Sequence, residues 1–147
     1  MILTNASSDI IEVVTSAAVN TDVVASWVDV DASGSTDPDP GVTPTAITTA
    51  ATTTVVASPG ASKTRFVKSL TIRNKGASNN NVTVQLDRSA TNYELHKVTL
   101  APGEALQWTQ DLGFFVLKAS VNTLFNQSTA NQTGFSSDTY LTGSNVS

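Results

Sequence analysis

The sequence contains no cysteine, which excludes disulfide bonds, thiol chemistry and zinc sites built on thiolates. Charged residues make up only 14% of the 147 positions, so the chain has few of the lysine, arginine and glutamate residues that favour helices. Threonine, serine and asparagine instead supply 50 positions. Threonine fits a pleated sheet, whereas serine and asparagine compete with the backbone hydrogen bonds of a helix. The composition therefore predicts an all-β protein.

Long apolar runs and targeting signals are absent as well. No run approaches the ~18 consecutive apolar residues of a membrane span. Residues 1–5 lack the basic and apolar regions of a secretory signal. We therefore expect a protein of an aqueous compartment that has no membrane partner.

Basic residues are absent from the first 62 positions, which carry seven acidic residues. Residues 63–118 hold all eight lysines and arginines against four acids, and the net charge of the chain is -4. Complementary potentials fix the register between partners. The distribution therefore suits a head-to-tail contact between the acidic part of one copy and a basic face of another, with ordinary surface variation as the alternative.

The first part of the chain contains two β-prone runs, at 10–14 and 23–30, which are predicted to be strands that can pair as a hairpin. Glycine, proline and aspartate dominate residues 31–41, which are predicted to form an exposed acidic loop. Residues 42–57 contain a proline and are predicted to form one or two edge strands that end at the turn 58–60.

The clearest alternation of apolar and polar residues lies in 63–118. The strand around 66–72 and the strand at 82–86 are predicted to be antiparallel partners, joined by a polar, exposed hairpin loop at 74–81. Each strand is expected to bury one face. The residues assigned to these faces are Phe66, Leu70 and Ile72 in the first strand and Val82, Val84 and Leu86 in the second.

Three more strands are predicted at 93–100, 105–108 and 114–117, with a type II turn at 101–104 that has proline and glycine in its central positions. Short strands at this regular spacing are typical of an antiparallel β-sandwich or jelly roll. We therefore expect one such domain over residues 1–118, with extended segments at both termini.

The remaining residues, 119–147, are rich in asparagine, glutamine, serine and threonine, with few apolar residues. They are predicted to form an extended C-terminal arm that attaches to a neighbouring subunit, and a disordered tail is the alternative. The predicted anchors of this arm are Leu124, Phe125, Phe135, Tyr140 and Leu141.

The acidic loop offers a weak metal candidate. Asp29, Asp31 and Asp37 have the spacing of the first half of a calcium loop. The twelfth position of that loop needs a bidentate glutamate and is Pro40 here, and the flanking residues are typical of strands rather than helices. We therefore favour a solvated turn over a calcium site, and we expect no cofactor.

Catalytic patterns are equally sparse, because His96 is the only histidine and no nucleophile elbow is present. Acidic residues for a paired-carboxylate site exist, but no pattern specifies a pair. We therefore favour a surface or interface role for His96. The chain is predicted not to be an enzyme, and a small-molecule ligand is not expected.

The basic residues and the tryptophans bear on two binding functions. Five basic residues lie between Lys63 and Lys75, but they do not share one strand face, and a pI near 4.6 opposes binding of a polyanion. Nucleic acid is therefore not an expected partner. Trp27 and Trp108 would give a carbohydrate-binding adhesin a stacking platform, but buried core anchors are the favoured interpretation.

Several segments together resemble the small virion structural proteins of tailed bacteriophages. They are Ala57–Val67, Leu70–Asn74, Val82–Val84 and Lys97–Leu106, and the run from Ile11 to Val30 fits the same group. The resemblance implies a β-sandwich or jelly-roll protein present in many copies, specifically a capsid decoration (cement) protein that oligomerises, often as a trimer, and binds the major capsid protein. It also implies a location on the virion, with the capsid surface favoured, after assembly in the host cytoplasm.

Capsid, tail and fibre modules share this strand-and-turn signature, so a tail, neck or fibre component is the alternative, and the adhesin is the alternative from another class. The contact elements are predicted to be the acidic segment 22–39 and the C-terminal arm. The acidic interface candidates are Asp22, Asp29, Asp31, Asp37 and Asp39.

Overall fold

A computed structural model describes residues 2–4, 8–31 and 38–119. Within these ranges every regular element is a β-strand, as the composition predicts, and no helix could cross a membrane. The ten strands are β1 (Ile2–Thr4), β2 (Asp9–Thr15), β3 (Thr21–Asp31), β4 (Asp39–Ile47), β5 (Thr52–Val56), β6 (Lys63–Asn74), β7 (Asn80–Arg88), β8 (Thr91–Leu100), β9 (Ala105–Thr109) and β10 (Gly113–Leu117).

The strands form two antiparallel sheets that pack against each other, which confirms the predicted β-sandwich. The front sheet has the order β10-β9-β6-β3-β4, and β1 also pairs with β6. The back sheet has the order β5-β2-β7-β8. β4 and β5 are edge strands of different sheets, as predicted for the residues around Pro44.

The core lies between the sheets, because alternate side chains of each strand point inward. The alternation is regular in β2. Each fully buried aliphatic side chain stabilises the fold by about 1.5–3 kcal/mol. The large side chains with less than 2% exposure are Ile11, Val13, Val23, Val55, Val56, Val67, Leu70, Ile72, Val82, Val84, Leu100 and Leu106.

Both predicted hairpins are wrong. β2 belongs to the back sheet and β3 to the front sheet, and β6 and β7 are divided in the same way. Residues 16–20 and 75–79 are therefore crossovers between sheets. Val19 is buried in the first crossover, where its carbonyl accepts a hydrogen bond from the hydroxyl of Thr21 at 3.0 Å.

The predicted exposed loop at 74–81 also has buried ends, since Asn74 and Asn80 are each 0% exposed. Burial of Asn74 is tolerated because its side-chain amide forms hydrogen bonds with backbone groups that have no backbone partner there. Its Nδ2 donates to the carbonyls of Ser78 and Leu100 at 2.8 and 2.9 Å, and its Oδ1 accepts from the Gly76 N–H at 2.9 Å. The polar residue therefore joins this crossover to the end of β8.

β6 contains a bulge that changes which residues face the core. Ser26 pairs with Ser69 and Trp27 with Val67, so that Lys68 has no partner in β3. The additional residue shifts the alternation of side chains by one position. Val67 consequently joins Leu70 and Ile72 in the core. The prediction that Phe66 shares their face is wrong, because Phe66 lies on the opposite face and is half-buried.

The predicted loop at 31–41 is too long at both ends. Asp31 is the last residue of β3, and Asp39 to Gly41 already belong to β4. Proline and glycine are tolerated there because β4 is an edge strand. The residues between 32 and 37, including Asp37, lie outside the described ranges.

Two tight turns orient the later strands. The predicted type II turn is confirmed, because the Glu104 N–H donates to the Ala101 carbonyl at 3.1 Å and Gly103 has a φ of +79°. A two-residue turn that the sequence analysis missed joins β7 to β8. Its residues Ser89 and Ala90 have φ values of 53° and 63°, as a type I′ hairpin requires.

Candidate functional site

A buried ion pair connects the two central strands of the front sheet. Asp29 of β3 lies directly opposite Arg65 of β6. The guanidinium donates from Nε to Oδ1 at 2.7 Å and from NH2 to Oδ2 at 2.9 Å. The two side chains are 5% and 10% exposed. This two-pronged geometry is the strongest form of a charge-assisted hydrogen bond in proteins.

Arg65 also contacts two other parts of the sandwich. Its NH1 donates to the Ala57 carbonyl at 2.9 Å, and its guanidinium carbon lies 3.5 Å from the centre of the Trp27 ring. Trp27 in turn donates from Nε1 to the Thr43 hydroxyl at 3.1 Å. The adjacent edge strand β4 has Gly41 opposite Trp27, and the indole occupies the space that a Cβ would take there. The cluster therefore stabilises the junction of β3, β4, β6 and the segment after β5.

This geometry bears on the calcium candidate. Both carboxylate oxygens of Asp29 accept hydrogen bonds from Arg65, so that its charge is already compensated. Asp31 lies at the end of β3, and Asp37 is outside the described ranges. Among the described residues no group of three or more histidines, aspartates or glutamates is placed to hold a metal ion. The favoured solvated turn and the weak calcium candidate both stay untested, because Asp37 lies outside the described ranges.

Two acidic interface candidates have exposed cationic partners in the same chain. Asp22 accepts from Lys75 at 2.8 Å, and Asp39 accepts from Lys63 at 3.2 Å. Together with Asp29 they show that much of the complementarity between the acidic and basic parts is used within one copy. The proposed contacts of these aspartates with another copy remain predictions.

The basic cluster of β6 is divided by the same ion pairs. Lys63, Arg65 and Lys75 each neutralise an aspartate, and the bulge at Lys68 alters the order of faces. Arg73 is exposed near the C-terminal end of β6. The described part of the cluster therefore does not form a continuous basic stripe of the kind that follows a phosphate backbone.

A second aspartate–arginine ion pair, which the sequence analysis missed, joins β2 to β7. Asp9 lies opposite Arg88, and its carboxylate accepts from Nε at 2.8 Å and from NH2 at 2.6 Å. The hydrogen bond to Asp9 raises the pKa of Arg88. The only signal in the sequence was opposite charge in two strands, and it could not be used while the pairing of those strands was unknown.

Glu104 stabilises the turn before β9. One of its carboxylate oxygens accepts from the Ala101 N–H at 2.9 Å, and the other accepts from the Lys118 ammonium at 2.9 Å. The hydrogen bond from Lys118, followed by the backbone hydrogen bond, lowers the pKa of Glu104. The carboxylate therefore connects the turn to the residue that follows β10.

His96 lies on the inner face of β8, opposite the buried Val84, and packs against the front sheet. Its ring is stacked on Phe114 of β10, with the ring centres 4.8 Å apart and the planes within 6°. The contact joins β8 of the back sheet to β10 of the front sheet. Packing is therefore the role that the described contacts assign to this histidine.

The two tryptophans also contribute to packing. Trp108 is 5% exposed and belongs to the core, where it contacts Phe114. One face of the Trp27 ring is covered by Arg65. A sugar-stacking platform would require an open ring face, and neither described environment favours this role.

The outer face of the front sheet exposes an apolar patch at β3 and β4. Val24 lies opposite Pro44, while Val42 and Ala46 flank that pair along β4. Val42 is 64% exposed and Val24 is 44% exposed. A shallow depression runs between the strands, with Asp22 at its rim. We call Val24, Val42, Pro44 and Ala46 the front patch. Contiguous exposed apolar groups of this kind are typical of protein contact surfaces.

The predicted anchors of the C-terminal arm are outside the described residues. These anchors are Leu124, Phe125, Phe135, Tyr140 and Leu141. A comparison of the chain with protein-family models, with curated proteins and with solved structures finds no match.

Proposed function

We propose that this chain is a structural protein of a tailed-bacteriophage virion, specifically a capsid decoration protein that binds and stabilises the assembled shell. The front patch is the observation that carries the proposal. It presents exposed valine, proline and alanine side chains on a sheet that the buried ion pair holds together. The sequence resemblance supplies the class of partner, the major capsid protein.

The chemistry of the front patch suits a contact made in many copies. Burial of a valine side chain stabilises a complex by about 1.5–3 kcal/mol when it is complete. Val24 and Val42 are partly exposed, so one small patch gives only a modest affinity. Repetition over a shell, and an oligomer that bridges several capsid subunits, multiply that affinity through high effective concentration.

The mechanism is linked binding. A protein that binds the assembled shell and not its free subunits stabilises the shell by mass action, and the stabilisation grows with occupancy. The oligomer expected from the resemblance, a trimer, strengthens the effect because each copy holds the others near their sites. The function requires a rigid body and a contact surface, and no chemical step.

The decisive experiment locates the labelled chain on intact particles by electron microscopy. Label on the shell supports a decoration protein, and label on the tail, neck or fibres supports the alternative virion component. A copy count per particle separates the two again, because a decoration protein occupies many equivalent sites. Particles without label would overturn the virion assignment.

Variants of the front patch test the contact itself. Val24→Asp and Val42→Asp are expected to reduce the number of copies on particles, because each places a charge where apolar surface is buried in the complex. Thr52→Asp is the matched control, since Thr52 is exposed on the other sheet. Equal occupancy of all three variants would contradict a contact through the front patch.

The arm has a test of its own. A chain that lacks residues 120–147 is expected to be lost from particles while the sandwich remains folded. Unchanged occupancy of the shortened chain would remove the arm from the contact and would leave the front patch as the binding surface.

A further inference from the structure

The edge strands of the sandwich differ in their ability to accept another strand. Among the described strands the edges are β1, β4 and β10 in the front sheet and β5 and β8 in the back sheet, and β1 has only three residues. β4 contains Pro40 and Pro44, which have no N–H to donate and therefore block an added strand. β5 and β10 have five residues each. β8 has ten residues and no proline, and among the described strands it pairs only with β7.

A bulge in β8 brings two opposite charges to the same face. Lys97 pairs with Thr83 of β7 and Glu94 pairs with Gln85, so that Leu95 is the additional residue. In a regular strand residues 94 and 97 would point to opposite faces. Here both lie on the outer face of the back sheet. Neither has an ion-pair partner among the described residues.

The neighbours of these charges are also exposed. Tyr93 is 52% exposed and Leu95 is 36% exposed, although both belong to a strand. Tyr93 and Val98 lie on the inner face, because their partners Leu86 and Val82 point toward the core. The strand is therefore self-complementary about its middle, with charges on one face and apolar groups on the other.

We propose that two copies of this chain associate by antiparallel pairing of their β8 strands about a two-fold axis at Leu95 and His96. Glu94 of each copy then lies opposite Lys97 of the other, and Tyr93 lies opposite Val98. Both kinds of pair join residues of the same face, as a continuous sheet requires. The two back sheets become one sheet of eight strands, four from each copy.

Only this register pairs both glutamates with both lysines. Any shift along the strand removes the two ion pairs and leaves four charges at an interface from which water is partly excluded. Charged residues and bulges usually protect an edge strand from association. In β8 the bulge places Glu94 and Lys97 on the same face, so that they form ion pairs in this register and are left unpaired in every other register.

The pairing concerns the chain alone and does not depend on the proposed function. It also differs from the trimer that the resemblance implies, since a two-fold strand pairing closes with two copies. The small contact predicts a dimer whose population increases with concentration, so mass measurements over a concentration series separate one, two and three copies.

Charge reversal gives a test that a merely destabilised chain cannot imitate. Glu94→Lys and Lys97→Glu each place like charges opposite each other twice, and each is expected to weaken dimerisation roughly tenfold or more. When the two single variants are mixed, lysines of one copy face glutamates of the other, and heterodimers are expected in native mass spectrometry. Lys68→Glu, on the front sheet, is the control and leaves the dimer unchanged.

A cysteine variant tests the same register without altering the charges. The chain has no cysteine, so Leu95→Cys introduces a single thiol beside the proposed axis. The equivalent thiol of the other copy is within disulfide distance, whereas the two thiols of a Thr91→Cys control, at the exposed end of β8, are more than about 20 Å apart. Mild oxidation is expected to cross-link the first variant and not the second.

The outcomes are decisive in both directions. Heterodimers from the mixed variants, together with selective cross-linking at residue 95, would establish the pairing. A wild-type chain that stays monomeric at every concentration would overturn it, as would equal cross-linking of both cysteine variants. If the charge variants do not fold, as judged by circular dichroism, the cysteine pair alone decides.

Discussion

Replacement of Asp29 by asparagine is expected to lower the free energy of unfolding by about 3–5 kcal/mol, because it leaves a buried guanidinium without its counter-charge. The Arg65 side chain is only 10% exposed, and two of its hydrogen bonds end on the Asp29 carboxylate. Asparagine keeps the shape of the side chain but accepts at most one of those bonds, and it carries no charge.

The magnitude follows from burial and can be calibrated within the same sheet. Asp22 and Lys75 form an ion pair at 2.8 Å, but their side chains are 45% and 52% exposed. Solvent screens such a pair, so Asp22→Asn is expected to change the free energy by less than about 1 kcal/mol. Urea unfolding of both variants gives the comparison, since a small domain has a total stability of about 5–15 kcal/mol.

A double variant distinguishes the cost of a buried charge without a partner from the cost of losing the original side chains. Arg65→Met combined with Asp29→Leu removes both charges, so neither is left buried alone. This variant is expected to be more stable than Asp29→Asn, because two apolar side chains of similar size can replace a buried ion pair at little cost. If Asp29→Asn proves no more damaging than Asp22→Asn, or if the double variant is the least stable, the reasoning is refuted.

Three further substitutions test local features. Glu104→Gln is expected to weaken the acid dependence of the melting temperature: Lys118 lowers the pKa of Glu104 below 4.5, so its contribution is complete above the unfolded-state value and disappears as the pH falls through the folded-state value. Identical acid profiles would contradict this. Ala90→Gly is expected to stabilise the chain by about 1 kcal/mol in urea unfolding, because φ at Ala90 is 63°, and a loss of stability would exclude the strain. Asn74→Ala is expected to destabilise by about 1–3 kcal/mol for each carbonyl left without a donor, measured in the same way, and a neutral result would show that water replaces the amide.

Local patterns in the sequence were sufficient for most strands. A period of two places alternate side chains on one face, and the prediction at 82–86 is confirmed for Val82 and Val84, which are buried while Thr83 is not. Leu86 is only partly buried, and Gln85 on the outer face is buried as well. The turn at Pro102 and Gly103 was predictable for a similar reason, since proline presets one dihedral angle and glycine permits the next. Both signals act within a few residues.

The partition of strands between the sheets was not predictable from such signals. Nearest neighbours in sequence pair often, so hairpins were the natural expectation. The turn at Ser89 and Ala90 is a hairpin that was not predicted, because it lacks the glycine or asparagine that usually marks a left-handed turn. The bulge at Lys68 was hidden too, since one additional residue reverses the faces of a strand without any change in composition.

The segregation of charge along the chain supplies a physical reason for the partition. β2 and β3 both come from the part without basic residues, so their pairing as a hairpin would place acidic strands side by side, which is unfavourable. In the sandwich each lies beside a strand from the basic part, with Asp9 opposite Arg88 and Asp29 opposite Arg65. Charge therefore favours these two long-range pairings. It does not exclude pairing within the acidic part, because β3 also pairs with β4 and Asp29 lies opposite Asp39 there. Much of the complementarity between the acidic and basic parts therefore acts within one copy. Glu94 and Lys97 have no ion-pair partner among the described residues, and the pairing proposed for β8 uses these two charges.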